Sequence, residues 1–119
     1  MLENVRVLSF THYLQGPSAA QILADLGADV VKVEPIKGAY ERGWSGCNTY
    51  KNGVSVFFLL GNRNQRGISI NLKTAEGKEI VHRLIKHYDV VIENFRPGVM
   101  EKLGLGYEEL RKINPRLIY

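Results

Sequence analysis

Asp89-Val90-Val91-Ile92-Glu93-Asn94-Phe95-Arg96-Pro97-Gly98 is the stretch of this sequence that decides the fold. The run from Asp89 to Ile92 is β-branched and apolar, which is typical of a buried strand. The turn that follows it supplies an amide, an aromatic ring and a guanidinium group. Open α/β sheets bind their ligands at the carboxyl ends of the strands. The stretch therefore predicts a buried strand that ends at a ligand site containing Asn94, Phe95 and Arg96.

Outward from this stretch, short β-branched runs alternate with segments of helical periodicity. Such alternation predicts parallel strands joined by helical crossovers. The fold class is therefore α/β, with a Rossmann-like, mainly parallel sheet flanked by helices. In chain order the expected elements are strand Val5–Phe10, helix Ser18–Leu26, strand Asp29–Glu34, strand Gly67–Asn71, helix Ala75–Tyr88, strand Asp89–Ile92, short helices Val99–Leu103 and Tyr107–Ile113, and a last strand that begins at Arg116.

The segment from Ala75 to Tyr88 has the clearest helical pattern, with Thr74 as its expected amino-terminal cap. The pattern breaks down between residues 35 and 53, where four glycines are interleaved with aromatic residues. A long loop of this kind is usually functional or poorly ordered. For Val54–Leu60 the pattern leaves strand and buried helix equally open.

Size and composition fit one globular domain. The chain has 119 residues, of which 45% are hydrophobic and 24% charged. The single cysteine, Cys47, excludes an intrachain disulfide, and its surroundings lack a metal-site pattern, so we expect no metal. The opening residues lack the features of a secretory signal, and the longest apolar stretch, Val54–Leu60, is far shorter than the ~20 residues of a membrane helix. We therefore expect a soluble, cytoplasmic protein that does not bind membranes.

The charge balance mildly favours an anionic ligand. Sixteen Lys and Arg residues against twelve Asp and Glu give a net charge of +4. The basic residues are scattered rather than gathered in a stripe, and no nucleic-acid-binding motif is present, so nucleic acid is not an expected partner. A nicotinamide enzyme is also disfavoured, because neither the first strand-to-helix turn nor the glycines of the 35–53 loop form the G-x-G-x-x-G pattern.

Four motifs, in this order and at this spacing, resemble the amino-terminal part of the class III coenzyme A transferases. This family, also called the CaiB/BaiF type, includes formyl-CoA and carnitine-CoA transferases and the related 2-methylacyl-CoA racemases. The resemblance runs from Val5 to Tyr119. The motifs are Gly27-Ala28-Asp29-Val30-Val31-Lys32-Val33-Glu34, Asn62-Arg63-Asn64-Gln65-Arg66, Asn94-Phe95-Arg96-Pro97-Gly98 and Asn114-Pro115-Arg116-Leu117-Ile118-Tyr119.

The resemblance implies a site for coenzyme A or an acyl-CoA, which is a substrate rather than a permanently bound cofactor. CoA offers an adenine ring, phosphates and a thiol end, and arginine and lysine suit the phosphates. Basic residues beside the motifs are candidate phosphate partners, namely Arg63, Arg66, Lys73, Arg96 and Lys102, with Arg96 and Lys73 the most favoured. Carried over from the family, the CoA-binding residues are Tyr13, Leu14, Gln15, Ile70, Lys73, Asn94, Phe95 and Lys102.

Two departures from the family pattern affect this site. Many relatives follow the second strand with Glu-Arg-Pro, whereas here Glu34 is followed directly by Pro35, so the arginine contact is either absent or replaced by Lys37. Gln15 places a polar group where several members have a small residue, which could alter the acyl pocket. His12 lies beside the expected crevice; a structural turn histidine is the favoured interpretation, with acid, base or hydrogen-bond donor to an acyl group as the alternative.

In the family, an aspartate attacks the thioester and forms a covalent aspartyl intermediate that passes CoA to an acceptor carboxylic acid. The resemblance places that aspartate beyond Tyr119, so we expect no catalytic nucleophile within residues 1–119. The last residues resemble half of a core strand, which predicts a leading fragment of the large, CoA-binding domain, inactive by itself. The full-length protein is expected to be an interlocked homodimer. A racemase or epimerase acting on 2-methylacyl-CoA and a non-catalytic CoA-binding module remain the alternatives.

Overall fold

The computed structural model describes residues 1–119 as one α/β unit. None of its helices has the length and apolar character needed to cross a bilayer. A short 3-10 helix also occurs at Tyr40–Arg42. The strands and helices are β1 Arg6–Phe10, α1 Gln15–Asp25, β2 Asp29–Glu34, β3 Tyr50–Lys51, β4 Val54–Ser55, α2 Val56–Gly61, β5 Arg66–Ser69, α3 Ala75–Ile85, β6 Val90–Glu93, α4 Val99–Lys102 and α5 Tyr107–Ile113.

The central sheet has four parallel strands in the order β5-β2-β1-β6. Val7 of β1 lies opposite Val30 of β2 on one side and opposite Val90 of β6 on the other. The chain therefore builds outward from β1 through β2 to β5 and then returns to the opposite side of β1. This reversal creates a switch point beside β1, which is where open α/β sheets bind ligands. The expected mainly parallel α/β sheet is confirmed.

The two faces of the sheet carry separate cores. On one face, Val7 and Val30 pack with Ala20 and Ala24 of α1. On the other face lies the larger core, in which strand residues such as Leu8 and Val91 are clustered with residues of α3 and with Met100, Leu105, Leu110 and Leu117. Because side chains alternate along a strand, adjacent residues of β1 and β2 supply opposite cores. Burial on both faces favours the β-branched composition of these strands.

Strand β2 and helix α5 have the predicted bounds, but helix α1 does not begin where it was expected. The predicted start at Ser18 is wrong, because the helix begins one turn earlier at Gln15. Pro17 lies within the first turn, where its missing N–H would have no helical partner and its fixed φ suits the helix. Pro17 therefore marks the first turn of α1 and does not precede the helix.

The bounds of β1, β5, β6 and α4 differ from the prediction by one or two residues, and two further differences are larger. Helix α3 ends at Ile85 rather than Tyr88, because the side chain of Asn114 donates to the carbonyls of both residues, at 3.1 and 2.8 Å. The strand expected from Arg116 is reduced to a single parallel bridge between Ile118 and Val90. The expected cap of α3 is confirmed, since the Thr74 hydroxyl accepts from the Gly77 N–H at 3.1 Å.

The segment between β2 and β5 contains more regular structure than its glycines indicated. Val54–Leu60 begins as a strand and continues as a helix. Val54 and Ser55 pair with Tyr50 and Lys51 in a short hairpin, and α2 follows directly. The Ser55 hydroxyl caps α2 by accepting from the Phe58 N–H at 3.3 Å. This segment covers the carboxyl half of β2.

Gly77 fixes the distance between the first turn of α3 and the chain leaving β5. A Cβ atom at this position would lie 2.0 Å from the carbonyl oxygen of Asn71, which is backbone and cannot move aside freely. We expect Gly77→Ala to lower the free energy of unfolding by roughly 1–3 kcal/mol despite alanine's better helix propensity, because overpacking costs more than that propensity gains.

Urea unfolding of the variant and the parent chain measures this loss. Gly67→Ala is the matched control, because a Cβ atom there has no heavy atom within 4 Å. We expect it to leave stability unchanged or to raise it by up to about 1 kcal/mol, because alanine loses less backbone entropy than glycine on folding. Equal midpoints for the parent and Gly77→Ala would contradict the close approach.

Candidate functional site

A cleft of about 570 Å³ lies at the carboxyl edge of the sheet. Residues that follow β1, β2, β5 and β6 meet there, as expected for a ligand crevice at a switch point. Its walls are mainly apolar, with two lysines and one histidine among them. The lining residues are His12, Val33, Glu34, Pro35, Ile36, Lys37, Ile70, Asn71, Leu72, Lys73, Phe95, Val99 and Leu103.

Asn94 connects the end of β6 to the turn that follows β1. Its side-chain oxygen accepts from the His12 N–H and its side-chain nitrogen donates to the His12 carbonyl, both at 2.8 Å. Gly16 allows this close approach, because a Cβ atom at residue 16 would lie 2.7 Å from the Thr11 side chain and 3.0 Å from Cγ of Asn94. The amide of Asn94 therefore holds the backbone of the turn, and the neighbouring residues His12 and Phe95 form part of the cleft wall.

The imidazole of His12 forms part of the cleft wall. It stacks on the ring of Phe95, with the centroids 5.4 Å apart and the planes inclined by 26°. Its Nδ1 lies 3.3 and 3.4 Å from the two carboxylate oxygens of Glu41. His12 therefore lies in the turn after β1, and its ring has a defined orientation between an aromatic ring and a carboxylate.

Glu41 is a buried carboxylate, with only 1% of the residue exposed. One of its oxygens accepts from the Tyr13 N–H, where the backbone has a positive φ of 61°. Burial alone would raise the pKa of Glu41, but the hydrogen bonds from His12 and from the Tyr13 backbone outweigh it and lower the pKa from 4.5 to about 2. Glu41 is therefore ionised at neutral pH and ties the 35–53 loop to the turn after β1.

A second buried carboxylate, Glu34, holds the start of the same loop. Its oxygens accept from Arg42 at 2.7 and 2.9 Å and from the Ala39 N–H at 2.9 Å. Burial opposes ionisation of Glu34, yet the hydrogen bonds from Arg42 and Ala39 lower its pKa. Lys32, on the same strand, donates to the side chain of Asn62 at 2.7 Å, and burial lowers its pKa.

Two cations line the cleft after the neighbouring strands β2 and β5. Lys37 follows β2, and Lys73 lies between β5 and the start of α3. Both residues are exposed enough to meet a ligand from solvent. The backbone N–H of Lys73 donates to the Asn71 side chain at 3.1 Å. An apolar cleft with two lysines in its wall suits a ligand that has both an apolar arm and phosphate groups.

The structure brings some of the expected site residues together and leaves others outside the cleft wall. Ile70, Lys73 and Phe95 line the cleft, and Asn94 lies behind it. Tyr13 is 57% exposed and lies near Tyr40 and Trp44 instead. The remaining expected residues are exposed and are not among the residues that line the cleft, namely Leu14, Gln15, Arg96 and Lys102.

Two of the candidate phosphate partners lie at the wrong edge of the sheet. Arg63 pairs with Asp25 at 2.6 Å, and Arg66 pairs with Asp29 at 2.7 Å. Asp29 and Arg66 begin β2 and β5, so this second pair is at the amino-terminal edge, opposite the cleft. Sequence proximity to a motif therefore misplaced these arginines as ligand contacts.

Sequence reasoning missed Glu41 and two cleft-lining residues in and directly after α4. Glu41 lies between Tyr40 and Arg42 in a glycine-rich segment, where nothing local distinguishes a buried carboxylate from an exposed one. Val99 and Leu103 line the cleft. Their apolar character at helical spacing was visible in the sequence and could have identified them.

Comparison with known proteins places the chain in a family. The family model described as CoA-transferase family III matches residues 2–119. The chain is 49% identical over 118 residues to a succinyl-CoA–D-citramalate CoA-transferase of Chloroflexus aurantiacus, and 46% identical over 118 residues to a formyl-CoA:oxalate CoA-transferase of Streptomyces avermitilis. These matches cover 98% and 99% of the chain but only 29% and 28% of the relatives.

Solved structures agree with this result. A point mutant of Rv3272 from Mycobacterium tuberculosis matches with a TM-score of 0.92 and 44% identity, over 100% of this chain and 32% of that protein. A CaiB/BaiF family protein from Brucella suis matches with a TM-score of 0.90 and 43% identity, over 98% of this chain and 32% of that protein. The chain belongs to CoA-transferase family III and spans less than a third of the length of these relatives.

The depressed pKa of Glu41 predicts an acid-dependent loss of stability. A carboxylate with a folded-state pKa of about 2 and an ordinary value of 4.5 stabilises the fold above pH 4.5, and this contribution is lost as the pH falls toward 2. The full contribution is on the order of 3 kcal/mol. Glu41→Gln should therefore be less stable than the parent chain at pH 7, and the difference should shrink on acidification.

Urea unfolding of both chains at pH 7, 5 and 3 measures the difference. Glu79→Gln, on the exposed side of α3, is the matched control and should show little difference at any of the three pH values. A Glu41→Gln deficit that stays constant from pH 7 to pH 3 would mean that the charge of Glu41 does not stabilise the fold.

Proposed function

We propose that this member of CoA-transferase family III forms the CoA-binding part of an enzyme that moves coenzyme A between an acyl-CoA thioester and a carboxylic acid. The observation that carries the proposal is the cleft at the switch point, whose mainly apolar walls and two lysines match the mixed character of CoA. The relatives named as succinyl-CoA–D-citramalate and formyl-CoA:oxalate CoA-transferases support transfer over the racemase alternative.

In this proposal the phosphates of CoA bind at the mouth of the cleft and its pantetheine arm lies along the apolar wall. Lys73 and Lys37 contribute charge-assisted hydrogen bonds to the phosphates. Ile70, Phe95 and Val99 contact the arm. Tyr13, Leu14 and Gln15 border the site at the start of α1, where the positive end of the helix favours an anion. Arg96 and Lys102 add cations outside the cleft wall.

The chemical step that we propose uses an aspartate outside residues 1–119. The aspartate attacks the thioester carbonyl, and CoA leaves as a thiolate while an acyl-aspartyl anhydride forms. The thiolate then attacks the aspartyl carbonyl, which releases the first carboxylate and leaves an aspartyl-CoA thioester. The acceptor carboxylate repeats these steps in the reverse order and leaves with CoA. This pathway needs no metal ion and no permanently bound cofactor.

None of the carboxylates near the cleft is placed to act as that nucleophile. Glu34 lines the cleft, but its two oxygens accept hydrogen bonds from Arg42 and the Ala39 N–H. Glu41 is buried behind His12. Asp29 pairs with Arg66, and the Asp89 carboxylate accepts from the Arg6 N–H, both at strand starts away from the cleft. We therefore propose that residues 1–119 bind CoA without catalysing its transfer.

The full-length protein is proposed to be a cytoplasmic, interlocked homodimer. Exposed apolar side chains in the 35–61 region are compatible with further packing, for example Tyr40 at 60% exposure and Leu60 at 66%. Size-exclusion chromatography with light scattering on the full-length protein would give its mass directly. A monomer at all concentrations would count against this part of the proposal.

The role of Lys73 in phosphate binding predicts a loss of CoA affinity. Removing a charge-assisted hydrogen bond costs roughly 1.5–3 kcal/mol, so we expect Lys73→Ala to weaken CoA binding by about tenfold or more. Arg96→Ala should weaken it too, because it removes a cation beside the cleft. Isothermal titration calorimetry with CoA and with dephospho-CoA measures the binding affinities of both variants and of the parent chain.

Lys86→Ala is the matched control for the lost charge, because Lys86 is an exposed residue directly after α3 at its far end. Its CoA affinity should equal that of the parent chain. If Lys73→Ala and Arg96→Ala also bind as the parent does, the assignment of these residues to the site is wrong.

The absence of a placed nucleophile predicts that the 119-residue chain has no CoA-transferase turnover. Incubation with an isotopically labelled acyl-CoA and a panel of acceptor acids should give no exchange above the blank, whereas the full-length protein should catalyse exchange. Exchange by the 119-residue chain that disappears when one of its own residues is mutated would contradict this prediction and identify an unrecognised nucleophile.

A further inference from the structure

We propose that Glu41 is a positioning residue that fixes the tautomer of His12, so that Nε2 of His12 presents a hydrogen-bond acceptor to the cleft. The ligand group that fits this acceptor is an N–H of the amide-containing pantetheine arm of CoA. This proposal rests on the proposed function for the identity of the ligand. The geometry of Glu41 and His12 is independent of that identity.

The first step concerns the hydrogen-bond partners of Glu41. Its carboxylate meets two groups, the Tyr13 N–H and Nδ1 of His12. A backbone N–H can only donate, and an ionised carboxylate can only accept. Because Glu41 is ionised at neutral pH and almost completely buried, the favourable state of the imidazole has a proton on Nδ1. A neutral His12 with this tautomer carries no proton on Nε2.

The second step concerns the direction in which Nε2 faces. His12 lines the cleft and Glu41 does not, so the Nδ1 edge faces the interior and the other edge of the ring faces the cleft. Nε2 makes no hydrogen bond within the chain, and it is not among the buried atoms that lack a partner. It is therefore open to solvent or to a ligand.

The third step concerns what restrains the ring. Phe95 stacks on one face of the imidazole, and Asn94 holds the His12 backbone through two hydrogen bonds of 2.8 Å. Both residues belong to the turn after β6. The ring is thus fixed by stacking, backbone position and a buried carboxylate, which is the preorganisation that a ligand-binding group requires.

Glu41→Gln gives a sharp test because a glutamine cannot satisfy both neighbours as acceptor. Its single oxygen can accept from the Tyr13 N–H, which leaves its amino group to donate to Nδ1 of His12. The substitution should therefore reverse the tautomer and place the proton on Nε2. An N–H of the ligand would then meet an N–H of His12, and CoA binding should weaken by about tenfold.

The tautomer is measured by long-range ¹⁵N–¹H NMR of the histidine side chains at a pH where His12 is neutral. The unsubstituted chain should show Nδ1 protonated, and Glu41→Gln should show Nε2 protonated. This readout requires no ligand, and the result for the unsubstituted chain stands even if the variant fails to fold. A proton on Nε2 in the unsubstituted chain would overturn the proposal.

Calorimetry with CoA separates a positioning role from a general structural one. If Glu41 acts through His12, Glu41→Gln should weaken binding in the parent chain but should have no effect in a His12→Leu background. His12→Gln, which can offer an oxygen acceptor, should bind CoA more tightly than His12→Leu. Equal losses from Glu41→Gln in the parent and His12→Leu backgrounds would overturn the role through His12.

The same titrations distinguish this proposal from the proposed function. No CoA binding by the unsubstituted chain would overturn the proposed function and the ligand assignment of His12 together. Normal binding that is weakened by Lys73→Ala but not by Glu41→Gln or His12→Leu would overturn only the present proposal.

Discussion

The pair of hydrogen bonds between the Asn94 side chain and the His12 backbone is the constraint on which the site depends. It joins the turns after β1 and β6, the two strands that flank the switch point. Gly16 is required beside it, since even a methyl group would collide with Thr11. Because both polar ends of the Asn94 amide are used in this way, the side chain acts as part of the scaffold, and Phe95 and His12 form the surface that a ligand meets.

Two buried carboxylates hold the glycine-rich loop after β2, in addition to the aromatic contacts of Trp44 with Tyr40 and Phe57. Glu34 and Glu41 are both nearly inaccessible to solvent, and each accepts hydrogen bonds from groups brought to it by the loop or by the neighbouring turn. A buried carboxylate is costly unless it is paired, so these contacts hold only in one arrangement of the loop. The consequence for function is a cleft wall in which His12 has a fixed position, held by Glu41, Asn94 and Phe95.

The features that depend on local sequence pattern could be predicted from the sequence, whereas those that depend on long-range contacts could not. Strand Asp29–Glu34 was predicted with its observed bounds because its β-branched run is bounded by clear breaks. The early start of α1 and the end of α3 depended on Pro17 and Asn114, whose effects come from their position in the fold. The cleft residues Ile70, Lys73 and Phe95 were expected from the resemblance, and their contacts with CoA stay predictions. The burial of Glu41 had no local signal at all.

The carboxyl-edge cleft as the CoA site is tested most directly by ¹⁵N–¹H correlation spectra of the chain during titration with CoA. Saturable changes should concentrate at the amides that border the cleft, in residues 12–16, 36–38, 70–75 and 95–99, and the amides at the start of β2 and β5 should remain unchanged. Changes centred on Asp29 and Arg66 at the opposite edge, or the absence of any saturable change, would contradict the assignment.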